Sequence, residues 1–180
     1  MSEAPRHETF DRATARPMAF RGVAPELWRF LCAAYLKLGG WKIEGDWPRH
    51  IPKMTLIAAP HTSNWDGFNM LAAAGYYRVP LRWMGKKELT QGPFGWLLRR
   101  LGCVPVDRAG KDDLVRQMAD AFHAARDMVL AVAPQGTRAA TREWRTGYYY
   151  IALTAGVPIV MSVLDYGAKT IRVSGAIRPS

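Results

Sequence analysis

Two short apolar runs, each stopped by a proline, constrain this chain most. They are Met54-Thr55-Leu56-Ile57-Ala58-Ala59 before Pro60, and Met128-Val129-Leu130-Ala131-Val132-Ala133 before Pro134. A short apolar run bounded this way reads as a buried strand that ends at the edge of a sheet. Helix-like segments alternate with such strands along the chain. A helix is expected over 63–76, a short strand over Leu81–Met84, and a helix over Gly92–Leu101 with Phe94, Leu97, Leu98 and Leu101 on one face. Strand Cys103–Val106 follows, then a helix capped by Asp112 or Asp113 on which Leu114, Met118, Ala121, Phe122 and Ala125 recur at helical spacing. Beyond Pro134 the reading is helix Trp144–Ala155, then strands Pro158–Leu164 and Thr170–Ser174. Such alternation predicts a single α/β domain with a largely parallel central sheet flanked by helices. Ligands of these sheets gather at the carboxyl ends of the strands.

The N-terminal part reads differently. Pro25 to Leu38 is bracketed by proline near its start and Gly39-Gly40 after its end, the marks of a helix of about four turns. Leu27, Phe30, Leu31, Ala34 and Leu38 form an apolar stripe with Trp28 and Tyr35 beside it, flanked by Arg21, Arg29 and Lys37. This suits an amphipathic helix lying in a membrane interface; the same stripe would also serve to pack on the domain core. The expected organisation is a flexible segment over 1–20, the amphipathic helix over 21–40 and the main domain over 41–180.

Charge narrows the partners. With 25 basic and 15 acidic residues the net charge is +10, which favours something anionic: nucleic acid, an anionic membrane surface, or a phosphorylated or nucleotide-bearing substrate. Cys32 and Cys103 make no disulfide framework or metal pattern, so a reducing compartment is expected. Residues 1–17 are charged and polar and lack the apolar stretch of a signal peptide. No run approaches the roughly 18 apolar residues that span a bilayer, so the chain is expected not to cross one. The histidines are scattered without ligand spacing, and no metal is expected.

Three strand ends carry polar groups. After the first come His61-Thr62-Ser63-Asn64-Trp65-Asp66, where a carboxylate in the first helical turn would hold one nitrogen of an imidazole in the preceding turn. The other nitrogen is then free to take a proton from a substrate hydroxyl. Ser63-x-x-Asp66 also fits a capping box, a purely structural use of the same residues. The second end gives Asp107-Arg108, and the third Gln135-Gly136-Thr137-Arg138. An arginine after a strand is usually solvated, and Gly-Thr is usually a turn. Set at similar positions in one sheet, they would instead turn a base and two guanidinium groups, each a planar donor fork suited to phosphate, toward one cleft.

With these residues in view, the chain resembles the glycerolipid acyltransferases, which acylate glycerol 3-phosphate or lysophosphatidic acid. Four motifs stand in the family's order between about Leu56 and Val163. His61 to Asp66 is similar to the His-x4-Asp motif, and Gly102-Cys103-Val104-Pro105-Val106-Asp107-Arg108 to the second. Gln135-Gly136-Thr137-Arg138 resembles the third, usually Glu-Gly-Thr-Arg, and Val157-Pro158-Ile159-Val160 the fourth. Lys86-Lys87-Glu88-Leu89 falls where members often carry a basic residue and a leucine.

The resemblance implies a 1-acylglycerol-3-phosphate acyltransferase-like enzyme with His61 as general base and Asp66 as its orienting acid. Arg108, Lys86, Ser63, Gln135, Gly136, Thr137 and Arg138 would serve substrate binding. It implies no cofactor beyond the co-substrate, an acyl thioester of coenzyme A or acyl carrier protein, and a lysophospholipid acceptor. The protein would sit peripherally on the cytoplasmic face of an anionic membrane, without nucleic acid as a partner. Two departures stand out. Gln135 replaces a glutamate, keeping an acceptor oxygen but losing a charge. The chain ends at Ser180, soon after the fourth motif, where members usually continue, as a shortened chain or a minimal member would. Two other readings use the same residues: a basic nucleic-acid-binding module with stacking tryptophans, and a lipid-binding protein on this fold without turnover.

Overall fold

The computed structural model of the chain describes residues 25–60, 63–79, 81–106, 111–136 and 143–180. In chain order the elements are α1 (Pro25–Leu38), β1 (Lys42–Glu44), β2 (Lys53–Ala59), α2 (Asn64–Tyr77), β3 (Leu81–Lys86), α3 (Lys87–Gln91) and α4 (Gly95–Arg100). They continue with β4 (Cys103–Val106), α5 (Lys111–Ala124), β5 (Met128–Val132), α6 (Gly147–Ala155), β6 (Ile159–Asp165) and β7 (Thr170–Val173).

Seven strands form one sheet in the order β1-β7-β6-β2-β5-β3-β4. Every pairing is parallel except β6 with β7. β2 and β5 sit in the middle, and all five residues of β5 are buried, which is why these strands read as unbroken apolar runs. Alternate residues face opposite sides. On one side Met54, Leu56, Val129, Ala131 and Val160 meet Ala74 and Tyr77 of α2. On the other, Ile57, Met128, Leu130, Val132 and Ile159 meet Met118 and Phe122 of α5 and Ile151 and Ala152 of α6. The result is three layers, helix on sheet on helix.

Helix α1 lies on the α2 side. Its Cys32 and Leu36 are buried with Ala72 and Ala73 of α2 and with Leu164 and Ile171 of the sheet. Arg78 at the end of α2 pairs with Glu26, while Tyr35 near the end of α1 bonds Asn69 near the start of α2. The two helices therefore run antiparallel, and the C-terminal end of α1 lies beside the first turns of α2.

The stripe singled out in the sequence faces away from the core. Leu27, Phe30, Leu31 and Leu38 are exposed, Leu38 to 90%. The packed face is carried instead by Trp28, Cys32 and Leu36, spaced four apart. Small residues at the crossing decide this: Cys32 meets α2 at Gly75, where a leucine or phenylalanine would hold the helices apart.

Other expectations need correction. The helix expected over Gly92–Leu101 is α4, beginning only at Gly95 after the N-cap Phe94; Gly92 is extended (φ −71°, ψ 175°), as the residue before a proline favours. Phe94 precedes that helix and is exposed, while Leu97, Leu98 and Leu101 are half-buried. The helix expected from Trp144 starts at Gly147, since the Arg145 amide donates to the Pro134 carbonyl (2.8 Å) and ties that stretch to the loop after β5. α5 has already begun at Asp112 and Asp113. The segment expected to be flexible over 1–20 lies outside the described residues.

Candidate functional site

Because β2, β5, β3, β4 and β6 run parallel, their carboxyl ends share one edge of the sheet. Neighbouring strands are about 4.8 Å apart, so the ends of β2 and β3, with β5 between them, are separated by about 10 Å. The described site residues gather along this edge. Ser63 and Asp66 follow β2, Lys86 is the last residue of β3, and Gln135 and Gly136 follow β5. His61, Arg108, Thr137 and Arg138 lie outside the described residues.

Asp66 is the most constrained of these groups. Ser63 has extended backbone (φ −144°, ψ 168°) and caps α2, with Asp66 at the third helical position completing a capping box. The Ser63 amide donates to Asp66 Oδ2 at 2.8 Å, and the Trp65 amide donates to Ser63 Oγ at 3.1 Å. The structural reading of this spacing is thus realised. A capping carboxylate is ordinarily solvated, however, and this one is 3% exposed. Burying a carboxylate is costly unless hydrogen bonds hold its charge, and here a bond from beyond the helix joins those of the cap.

Tyr166, in the turn after β6, donates its hydroxyl to Asp66 Oδ1. Asn69 Nδ2 donates to the same Tyr166 oxygen at 3.3 Å, and the Tyr35 hydroxyl on α1 donates to Asn69 Oδ1 at 3.0 Å. Trp41 meets the Tyr166 ring edge to face, centroids 5.1 Å apart. Burial, and then the bond to Asp66, push the Tyr166 hydroxyl above its ordinary value of 10.0, so it stays a donor at neutral pH. Sequence reading missed Tyr166 and Asn69. The available signal was that Tyr166 stands two residues past the end of the expected strand Pro158–Leu164, but nothing local says that this strand lies beside β2.

The other groups are more open. Lys86 is exposed at the junction of β3 and α3. Gln135 is half-buried, and Gly136 turns with φ +63°. A side chain at Gly136 would collide with Arg145, whose Cδ lies 2.9 Å from where a Cβ would stand. The Arg145 side chain therefore lies across the turn after β5, a further guanidinium on this edge that the sequence reading did not single out.

The exposed apolar surface near the edge is also notable. Trp65 and Phe68 on the first turns of α2 are 64% and 57% exposed, with ring centroids 5.6 Å apart, on the helix that α1 packs against. Among the described residues no helix is long and apolar enough to cross a membrane.

Comparison with solved structures finds the crystal structure of the 1-acyl-sn-glycerophosphate acyltransferase PlsC from Thermotoga maritima, at a TM-score of 0.56 and 16% identity. The match covers 86% of this chain and 69% of that one, and at this identity it speaks for the fold. None of the curated proteins compared matches the sequence significantly. The model of the family described as Acyltransferase matches residues 43–164. That stretch runs from β1 to β6, well over half of the 180 residues, and includes Asp66 and its cap, so this protein belongs to the acyltransferase family.

Proposed function

We propose that this protein transfers a fatty acyl group from an acyl thioester, carried by coenzyme A or acyl carrier protein, to the hydroxyl of a lysophospholipid at an anionic membrane surface. 1-Acylglycerol 3-phosphate is the acceptor of first choice. The observation that carries the reading is the buried, multiply bonded Asp66 carboxylate at the carboxyl edge of the sheet, five positions after His61 in a chain of this family.

The chemistry follows from the groups. His61 takes the proton of the acceptor hydroxyl, and the oxygen attacks the thioester carbonyl. The tetrahedral intermediate collapses with cleavage of the carbon–sulfur bond, and the departing sulfur takes the proton back from the imidazolium. Asp66 orients the imidazole and stabilises its charge while staying ionised. No nucleophilic serine or cysteine is required, so transfer is direct. Arg108, with Arg138 and Lys86, holds the acceptor phosphate by charge-assisted bonds, and Gln135, Gly136 and Thr137 contribute to binding the same substrate. The neutral Gln135 leaves one negative charge fewer beside an anionic substrate.

Membrane contact is supported by the outward face of α1. Leu27, Phe30, Leu31 and Leu38 are exposed without covering any core, and Trp65 and Phe68 extend apolar surface onto α2 close to Asp66. An acyl chain leaving the bilayer along this surface reaches the sheet edge without crossing water.

The test is a transfer assay with the full chain, liposomes containing lysophosphatidic acid, and each donor in turn, reading thiol release and product mass. Wild type is expected to turn over, and His61→Ala to lose about 10²–10⁴ in rate with unchanged thermal stability. Near-normal turnover by a folded His61→Ala variant would remove the general-base assignment. Lipid binding without turnover by wild type would favour a lipid-binding protein on the same fold.

A further inference from the structure

The capping box alone does not immobilise Asp66. The box gives Asp66 the Ser63 amide on Oδ2 at 2.8 Å and a long 3.4 Å bond from Ser63 Oγ on Oδ1, both from one residue, and the last torsion of a carboxylate lies in a soft, broad well. The bond from Tyr166 comes to Oδ1 from a different part of the chain. β6 pairs in parallel with β2, with Val163 opposite Ala59, so the turns after these two strands leave the sheet side by side. Tyr166 therefore approaches Asp66 from the neighbouring strand end, while Ser63 approaches from its own helix.

The direction of every bond in this chain follows from the charge on Asp66. An ionised carboxylate only accepts, so Tyr166 must donate its one proton there. Its oxygen then accepts from the Asn69 amide group, which leaves the Asn69 carbonyl oxygen to accept from Tyr35. Asn69 is 2% exposed, and a buried amide is costly unless its donors and acceptors are matched. Reversing any one bond would leave two acceptors facing each other. A fully matched polar chain of this kind specifies a single arrangement.

We infer that Tyr166, braced by Asn69, is a positioning residue for acyl transfer. It fixes the plane of the Asp66 carboxylate, and through it the imidazole that takes the acceptor proton. The inference rests on the acyl-transfer reading above. A tyrosine that merely filled space would be served as well by phenylalanine, since the edge contact with Trp41 needs only the ring.

The experiment is Tyr166→Phe, made in wild type and in an Asp66→Asn background, with kcat and KM measured for donor and acceptor alongside thermal unfolding. In wild type the substitution is expected to lower kcat roughly tenfold, the scale of one hydrogen bond to a charged group, leaving both KM values within about twofold. In the Asp66→Asn background, where the charge to be oriented is gone, it should cost less than about twofold, because residues that act as a unit are non-additive. Equal losses in both backgrounds, or a loss confined to KM, would overturn the positioning role, as would wild-type kcat in Tyr166→Phe while Asp66→Asn is crippled. If Asp66→Asn itself turned over normally, the catalytic reading of Asp66 would fall, and this inference with it. Asn69→Ala gives a second reading of the brace: a fall in kcat at unchanged KM supports it, and an unchanged kcat removes Asn69 from it.

Discussion

The same substitution at two glycines of α2 should shift stability in opposite directions. Both Gly67 and Gly75 lie inside the helix, where alanine is intrinsically better than glycine by about 1 kcal/mol. A Cβ at Gly67 meets nothing within 4 Å. Gly67→Ala should therefore keep most of that gain and raise Tm by about 2–4 °C, the usual shift per kcal/mol for a domain of this size. At Gly75 the new methyl would stand 2.4 Å from Cys32 Sγ and 2.8 Å from Trp28 Nε1, where ordinary contact is about 3.5–4 Å. Cys32 is buried and short, so relief requires α1 itself to retreat by about 1 Å, and the bond from Tyr35 to Asn69 depends on its seat. Overpacking of this kind costs about 1–3 kcal/mol, and a weakened hydrogen bond adds up to about 1 kcal/mol. Set against the propensity gain of about 1 kcal/mol, the middle of these ranges is a net destabilisation of about 1.5 kcal/mol and a Tm lower by about 3–6 °C. Thermal and urea unfolding followed by circular dichroism would measure both variants. Adding Cys32→Ala to Gly75→Ala should recover part of the loss, since the two groups collide directly. A Gly75→Ala protein as stable as wild type, or two variants shifting the same way, would refute the close seating of α1 on α2.

Two further outcomes are expected. Binding to vesicles containing anionic lipid should weaken with rising salt. It should weaken further, by about 10- to 100-fold, in Phe30→Ser, whose side chain is 66% exposed, because burying such a side chain stabilises by about 1.5–3 kcal/mol; a sedimentation assay with unchanged binding and normal unfolding would exclude α1 as the docking face. Burial pushes the Cys32 thiol from its ordinary 9.0 up to about 11, so the folded state holds this proton where the unfolded state has released it. That contribution to stability is complete below pH 9 and is lost as pH rises toward 11; urea unfolding across this window should show a decline that Cys32→Ala reduces, and an unaltered decline would assign it to other groups.

Much of the architecture was legible because it is local. The proline-stopped runs marked β2 and β5, and the proline and glycine bracketing 25–38 gave α1 its observed bounds, since caps and backbone restrictions act within a few residues. The three-residue β1 carried no such signal and exists as a strand through its pairing with β7. Asp66 was found by its spacing from His61, though spacing could not separate a cap from a buried catalytic carboxylate, and Asp66 proves to cap α2 while being buried. The amphipathic pattern of α1 was readable, but not which side of it meets the protein, because that depends on Gly75 of another helix being small enough to admit Cys32. Tyr166, a hundred residues from Asp66, became its partner only when the sheet placed β6 beside β2. Local sequence thus determined which segments are strands and helices and which polar groups stand at their ends. The order of strands decided which of those groups meet, because it follows from burying all the apolar faces at once, and no single segment carries that information.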